Sequence, residues 1–252
     1  MNRVVRSIRL ALAFLTIVPI PIRDGEVTPD RLADARFAYP AVGLLIGLVL
    51  ALVSELLRSI SAPPGPSAFL IVGAGVTIVG GLHLDGLADT ADGLFLWGDA
   101  DRRLAVMRDP RVGSFGVVVL VLVLLGKFAA LASMVGPGRS MAILGASTVG
   151  RSLILVSAGL APYARPEGTG RVLVSATTPR DALWASAFAS AVGLATAGGP
   201  GLVAASVAIG TALILTRSAI RKLGGVTGDT LGALVELGEL GFLLLVVLFR
   251  SG

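Results

Sequence analysis

The chain reads as an all-α, polytopic integral membrane protein, with about seven transmembrane helices and an N-terminal interfacial or re-entrant helix. Three observations carry this. Hydrophobic residues are 54% of the 252 and charged residues only 15%; an ordinary soluble chain has about 25% charged. Mean hydropathy is +0.87. Apolar runs of bilayer-crossing length recur along the chain, and the basic residues between them alternate in density. The absence of cysteine excludes a disulfide scaffold, a zinc–cysteine site, an iron–sulfur centre and a thiol nucleophile. The net charge of +5 marks loops on one side of a membrane and implies no nucleic-acid partner.

The first segment carries an apolar stretch, Leu10 to Ile22, between Arg9 and Arg23. Its 13 residues rise about 20 Å, short of the roughly 30 Å hydrocarbon layer. Arginine at both ends places both ends on one side. A secretory signal is the weaker reading, because Pro19 and Pro21 end the run without a small-x-small cleavage site.

Seven further runs follow: Phe37–Leu57, Ala68–Leu84, Val117–Val135, Met141–Ala161, Leu183–Ala197, Leu202–Leu215 and Leu231–Phe249. The fifth and sixth are short and joined by GGPG (198–201), either as a helical hairpin or as one interrupted span. Arginines crowd the N-terminal segment and the loops at 102–111, 165–180 and 217–222, and thin out in the loops between. This alternation puts the N-terminus and the charged loops in the cytoplasm, and the C-terminus outside. Arg250 runs against the pattern. No internal repeat or soluble second domain interrupts residues 1–252, which form a single integral-membrane domain.

The strongest local signal is GGLHLDGLADTADGLF (80–95). Asp85, Asp89 and Asp92 recur at i, i+4, i+7, within about 60° of one another around a helix. Like charges stacked on one face repel, and burial near a bilayer raises the cost. A cation among them resolves it. Carboxylates without cysteine are hard oxygen ligands that suit Mg²⁺ or Mn²⁺. His83, the only histidine, falls near 160° on the same helix, away from the carboxylates. It is a candidate proton acceptor, and a buried structural histidine is the plainer reading.

A second signal is RKLGGVTGDTLGALVELGEL (221–240). Gly225, Thr227 and Gly228 form a glycine-rich turn opening a helix, where free amides suit phosphate. Asp229 is a helix cap or a further ligand. Glu236 and Glu239 lie deeper in the last span, as functional acids or paired with a cation. A third signal is RRLAVMRDPRVGSFG (102–116), in which Arg108 and Arg111 suit bidentate phosphate contacts. Arg102 and Arg103 read as topology-setting charge. Lys127 lies inside the third span. Its depth does not match Glu236 for straight helices, so it is assigned no partner. All three signals map to one membrane face. A metal, arginines and exposed amides are the parts of a phosphoryl- or nucleotidyl-transfer site.

The motifs HLDGLADTADGLF, MRDPRVGSFG, GRSLIL (150–155) and GGVTGDTLGA resemble those of the cobalamin synthase family, the adenosylcobinamide-GDP ribazoletransferases. The FLTIVPIP start and YPAVGLLIG (39–47) are similar too. The resemblance covers nearly the whole chain. It implies an enzyme of the bacterial or archaeal cytoplasmic membrane, facing the cytoplasm and dependent on Mg²⁺. Such an enzyme joins adenosylcobinamide-GDP to α-ribazole or its 5′-phosphate and releases GMP, late in vitamin B12 assembly. On this reading Asp85, Asp89 and Asp92 hold the metal. Asp229 completes the shell or orients the attacking hydroxyl, Arg108 and Arg111 neutralise the leaving GMP, and a carboxylate or His83 takes the proton. A homo-oligomer, or other cobalamin-pathway enzymes as partners, is compatible with it. One alternative is a CDP-alcohol phosphotransferase. Gly81, Asp85 and Asp89 match the second half of that pattern, but its first half is absent. Another is an ion-coupled transporter, which wants mid-membrane carboxylates and two mirrored halves.

Overall fold

The computed structural model describes residues 2–22, 25–168 and 170–250. Arg23, used above to place the first segment, lies outside them. Among the described residues the fold is helical, and the only β-type pairing is a parallel bridge between Tyr163 and Val226.

Helix α1 (Arg3–Leu15) starts before the apolar stretch and is N-capped by Asn2. It stops at Thr16, three residues ahead of Pro19. Short α2 (Pro29–Ala35) and a 3-10 turn lead into α3 (Tyr39–Ser59). Helix α4 (Pro64–Val79) follows, then α5 (Leu82–Phe95), short α6 (Ala100–Val106), α7 (Ser114–Ser133) and α8 (Pro137–Ala158). Short α9 (Gly170–Ala176), α10 (Pro179–Leu223) and α11 (Gly228–Arg250) complete the chain.

Five of these helical segments are long and apolar enough to cross a membrane, and α4 with α5 makes a sixth as a bent pair. This is an all-α membrane protein. Helix α8 is its axis: nearly every residue from Ser147 to Ala158 is buried, and α3, α10 and α11 pack around it. The sequence allows this through small residues. Gly43 and Gly47 on α3 face Ser147 and Leu144 on α8, so closely that a β-carbon would collide with backbone. Close backbone approach between small residues is how helices gain contact where lipid offers no hydrophobic drive.

The 45 residues of α10 are not one rod. Gly198 leaves the helical region, at φ 64° and ψ −145°. In a straight helix Gly193 and Ala205 would lie about 18 Å apart. Here a β-carbon on Gly193 would come within 2.9 Å of the Ala205 side chain and collide with the Gly201 carbonyl. The chain therefore folds back at GGPG. Of the two readings of this segment, the hairpin is the one observed. Counting its arms separately, and α4–α5 as one span, recovers seven apolar segments.

The second expected run, Ala68–Leu84, is corrected. Helix α4 ends at Val79, and α5 leaves it at 88°. Gly80 (φ 61°) and Gly81 (φ 72°) both take left-handed backbone, which residues with a β-carbon disfavour, so two consecutive glycines permit the corner. Helix α5 then packs on α11 and α7.

Candidate active site

The site is built where α5 meets the start of α11. Their backbones touch at Gly86, where a β-carbon would sit 2.8 Å from the Asp229 carbonyl oxygen. That contact brings Asp229 to Asp85 and Asp89. Asp89 experiences the charge of Asp229 most strongly, then those of Asp85 and Asp92. Asp85 is exposed, while Asp89 and Asp229 are partly buried. Asp85, Asp229 and His83 line one cavity of about 110 Å³, closed by Gly228, Gly232 and Tyr39. A more open, mostly apolar groove of about 680 Å³ adjoins it along Phe14, Gly80, Gly81 and Leu120, with Asp85 shared between the two.

Asp92 is corrected. Its carboxylate accepts the Gly113 amide at 2.7 Å and the Gly116 amide at 2.9 Å. The carboxylate thus caps the start of α7, where free amides and the helix dipole favour an anion. Asp92 shares the helix face of Asp85 and Asp89, but each of its oxygens already has a donor. Among the described residues, no three acidic or histidine side chains stand close enough to chelate one ion as they lie. The carboxylates left without a cap are Asp85, Asp89 and Asp229. Their hard oxygens and shared negative charge suit a divalent cation, so the donor chemistry fits Mg²⁺ with Asp229 in the place expected of Asp92.

His83 also departs from expectation. It is buried and lines the same cavity as Asp85 and Asp229, rather than facing away from the carboxylates. The cavity wraps round the start of α5, so helical angle alone misjudges it. Both ring nitrogens of His83 lack a hydrogen-bond partner.

The glycine turn is built as a cap. Gly224 (φ 81°) ends α10, and Gly225 passes against the Pro162 backbone with no room for a β-carbon. The Thr227 amide donates to Thr230 Oγ1 at 2.9 Å, and the Thr230 amide donates back to Thr227 Oγ1 at 3.2 Å. The Tyr163 ring stands against Gly168 and Gly170. Burial pushes the Tyr163 phenol above its ordinary value, so it stays protonated. Gly225 and Thr227 are thus occupied by the fold, and only Gly228 of the three lines the cavity.

Arg108 and Arg111 stand exposed, and neither lines the cavity. Arg111 closes on Asp109 at 2.7 Å, and this pairing lowers the Asp109 carboxyl to about 2. The cation that reaches the site is one the sequence reading passed over. Arg165 Nη2 lies 2.8 Å from Asp229 Oδ2, with its side chain largely buried. Its position is fixed by backbone: the Val226 amide donates to Pro162 O at 2.9 Å, and the Ala164 amide to Val226 O at 2.8 Å. Arg103 and Lys222 were missed for the same reason, since both resemble topology-setting charge. Arg103 donates to the carbonyls of Gly93 and Leu94, each at 2.9 Å, and Lys222 donates to Leu94 at 2.8 Å. They cap the C-terminal end of α5, where cations are favoured.

Lys127 does have partners. Its Nζ lies 2.6 Å from Glu236 and 2.5 Å from Glu239, and Glu239 also pairs with Arg151. Depth counted from each helix start misleads, because the starts are offset. Helix α11 begins beside Gly86, while α7 begins beside Ala88 and Asp92. About four residues of offset along α5 are roughly 6 Å. Lys127 lies 11 residues beyond Gly116 and Glu236 seven beyond Asp229, so the offset makes up the difference.

A family model described as cobalamin-5-phosphate synthase matches residues 7–247. The chain belongs to that family. Family membership makes it a transferase of cobalamin biosynthesis. Curated relatives named adenosylcobinamide-GDP ribazoletransferase support the placement. The protein of Ectopseudomonas mendocina is 42% identical over 241 residues, covering 95% of this chain and 98% of its own. That of Pseudomonas aeruginosa strain UCBPP-PA14 is 41% identical, covering 98% of this chain and 100% of its own. That of Pseudomonas entomophila is 43% identical, covering 93% and 96%. No solved structure matches the chain.

Proposed function

We propose that this membrane transferase joins adenosylcobinamide-GDP to α-ribazole or its 5′-phosphate, releasing GMP, at the Asp85–Asp89–Asp229 site. The observation that carries the reading is uncompensated charge. Asp85 and Asp229 line one cavity, Asp89 lies within range of both their charges, and a single guanidinium pairs with Asp229, in a chain matched to the family over residues 7–247. Such a cluster suits a diphosphate brought in with Mg²⁺.

In the reaction a ribose hydroxyl of the ribazole attacks the phosphorus that bears the cobinamide. A phosphorus–oxygen bond forms, the phosphoanhydride breaks, and GMP carries off the bonding pair. Asp85, Asp89 and Asp229 would hold Mg²⁺, which when bound supplies charge neutralisation at the diphosphate. Asp229 and His83 both line the cavity and are the candidate acceptors for the hydroxyl proton. Asp229 is the better placed, because both ring nitrogens of His83 are buried. The apolar groove leaves room for the bulky corrinoid beside Asp85. The arginine-rich loops gather at this end of the bundle, which supports a site on the cytoplasmic side of a bacterial inner membrane.

The test uses purified protein in detergent with adenosylcobinamide-GDP, α-ribazole and Mg²⁺. GMP and a cobalamin product should appear in equal amounts, and EDTA should abolish both. Absence of product with either form of ribazole would sink the assignment.

A further inference from the structure

We propose that Arg165 binds the diphosphate of the nucleotide-linked substrate, and that Asp229 is its partner only until the substrate arrives. This rests on the reaction proposed above.

The argument begins with what a diphosphate meets at this site. Asp85, Asp89 and Asp229 repel it, Arg111 is paired with Asp109, and Arg108 is exposed. Arg165 is the guanidinium in contact with the cluster. A guanidinium carries five N–H donors in a planar fork, and a single carboxylate cannot satisfy all of them. The Arg165 Nε is buried and has no hydrogen-bond acceptor. A buried donor left unmade is costly, and the folded chain tolerates few of them. A phosphate oxygen entering beside Asp229 would satisfy it and could take a second N–H in the bidentate manner of arginine.

The mounting of Arg165 also suits a ligand-binding role. Two main-chain hydrogen bonds tie 162–164 to Val226. They set the backbone beside Arg165 against the start of α11, independently of Asp229. A cation taken up by the carboxylates would compete for Asp229 and release the arginine fork toward the diphosphate.

The experiment measures equilibrium binding of adenosylcobinamide-GDP to the full-length protein in detergent with Mg²⁺. Ribazole is omitted so that nothing turns over, and corrin absorbance is followed across a dialysis membrane. Arg165→Gln should weaken binding by about tenfold or more, with Arg165→Lys falling between it and the parent, because lysine keeps the charge but loses the fork. Arg58→Gln, at the exposed end of α3, should bind as the parent does. Arg165→Gln should also weaken binding in an Asp229→Asn background, where no ion pair remains to be broken. Thermal unfolding of each variant checks that it is folded, and Arg165→Lys serves should the glutamine variant fail. If Arg165→Gln has no effect once Asp229 is Asn, Arg165 is only the counter-ion of Asp229 and the inference is overturned. The same follows if Arg165→Gln or Arg165→Lys binds as the parent does. If the parent itself neither binds adenosylcobinamide-GDP nor yields product, the proposed reaction fails and takes this inference with it.

Discussion

Lys127, Arg151, Glu236 and Glu239 balance one another between α7, α8 and α11, with two charges of each sign. At the start of the same α11, Asp85, Asp89 and Asp229 share one guanidinium. The first cluster lies within the apolar spans, and every charge in it has an opposite within reach. The second opens onto a groove and keeps negative charge in excess. A buried charge must be paired or it unfolds the protein, so the balanced set is explained by the fold alone. The unbalanced set is not. Its excess is what the proposed cationic ligand would relieve, and the proposal rests on this imbalance more than on depth or burial.

The contrast can be broken in three places. Asp85→Asn should have the largest effect, cutting turnover by about a thousandfold, the scale of removing one electrostatic contact to a transition state. Asp85 is exposed and repelled by its neighbours, so the thermal midpoint should hold or rise. Turnover near that of the parent would remove the acidic cluster from the reaction. Lys127→Met should do the reverse. It leaves Glu236 without a cation in the spans, Glu239 keeping Arg151, and should destabilise by about 3–5 kcal/mol, read by unfolding in detergent. Turnover per folded molecule should be unchanged, and adding Glu236→Gln should restore part of the loss. A Lys127→Met protein that is stable but inactive would move the balanced cluster into the mechanism. Asp92→Asn should have the smallest effect, about 1 kcal/mol for a weakened cap at α7. The Mg²⁺ concentration for half-maximal turnover should stay where it is. A large shift in that concentration at parental stability would return Asp92 to the metal.

The spans were legible because hydropathy and helical length are properties of consecutive residues. GGPG announced a turn, and the Gly193–Ala205 approach shows that it reverses the chain. Asp85 and Asp89 stood out through i, i+4 spacing. The roles of Asp92 and Lys127 depend on where neighbouring helices begin, and no local pattern encodes that. Asp92 meets amides 21 and 24 residues on, and Lys127 meets acids 109 and 112 residues on. Arg165 was hidden by kind. In a membrane protein a loop arginine ordinarily reports topology, and only the pairing of 162–164 with Val226 shows that this one is turned inward. The glycine-rich turn was ambiguous because glycines serve helix ends and close backbone approach as readily as ligands.

The corner at Gly80–Gly81 has a mechanical consequence. Bilayers differ in thickness, and a spanning helix answers by changing its tilt. Were α4 and α5 one rigid rod, any such tilt would swing Asp85 and Asp89 with it. The corner is a joint, and beyond it α5 is fastened to α7 and α11. The corner lets α4 and α5 take different inclinations, while packing on α11 keeps the carboxylates registered on Asp229. Two residues without side chains thus free the direction of the acidic helix from that of the spanning one.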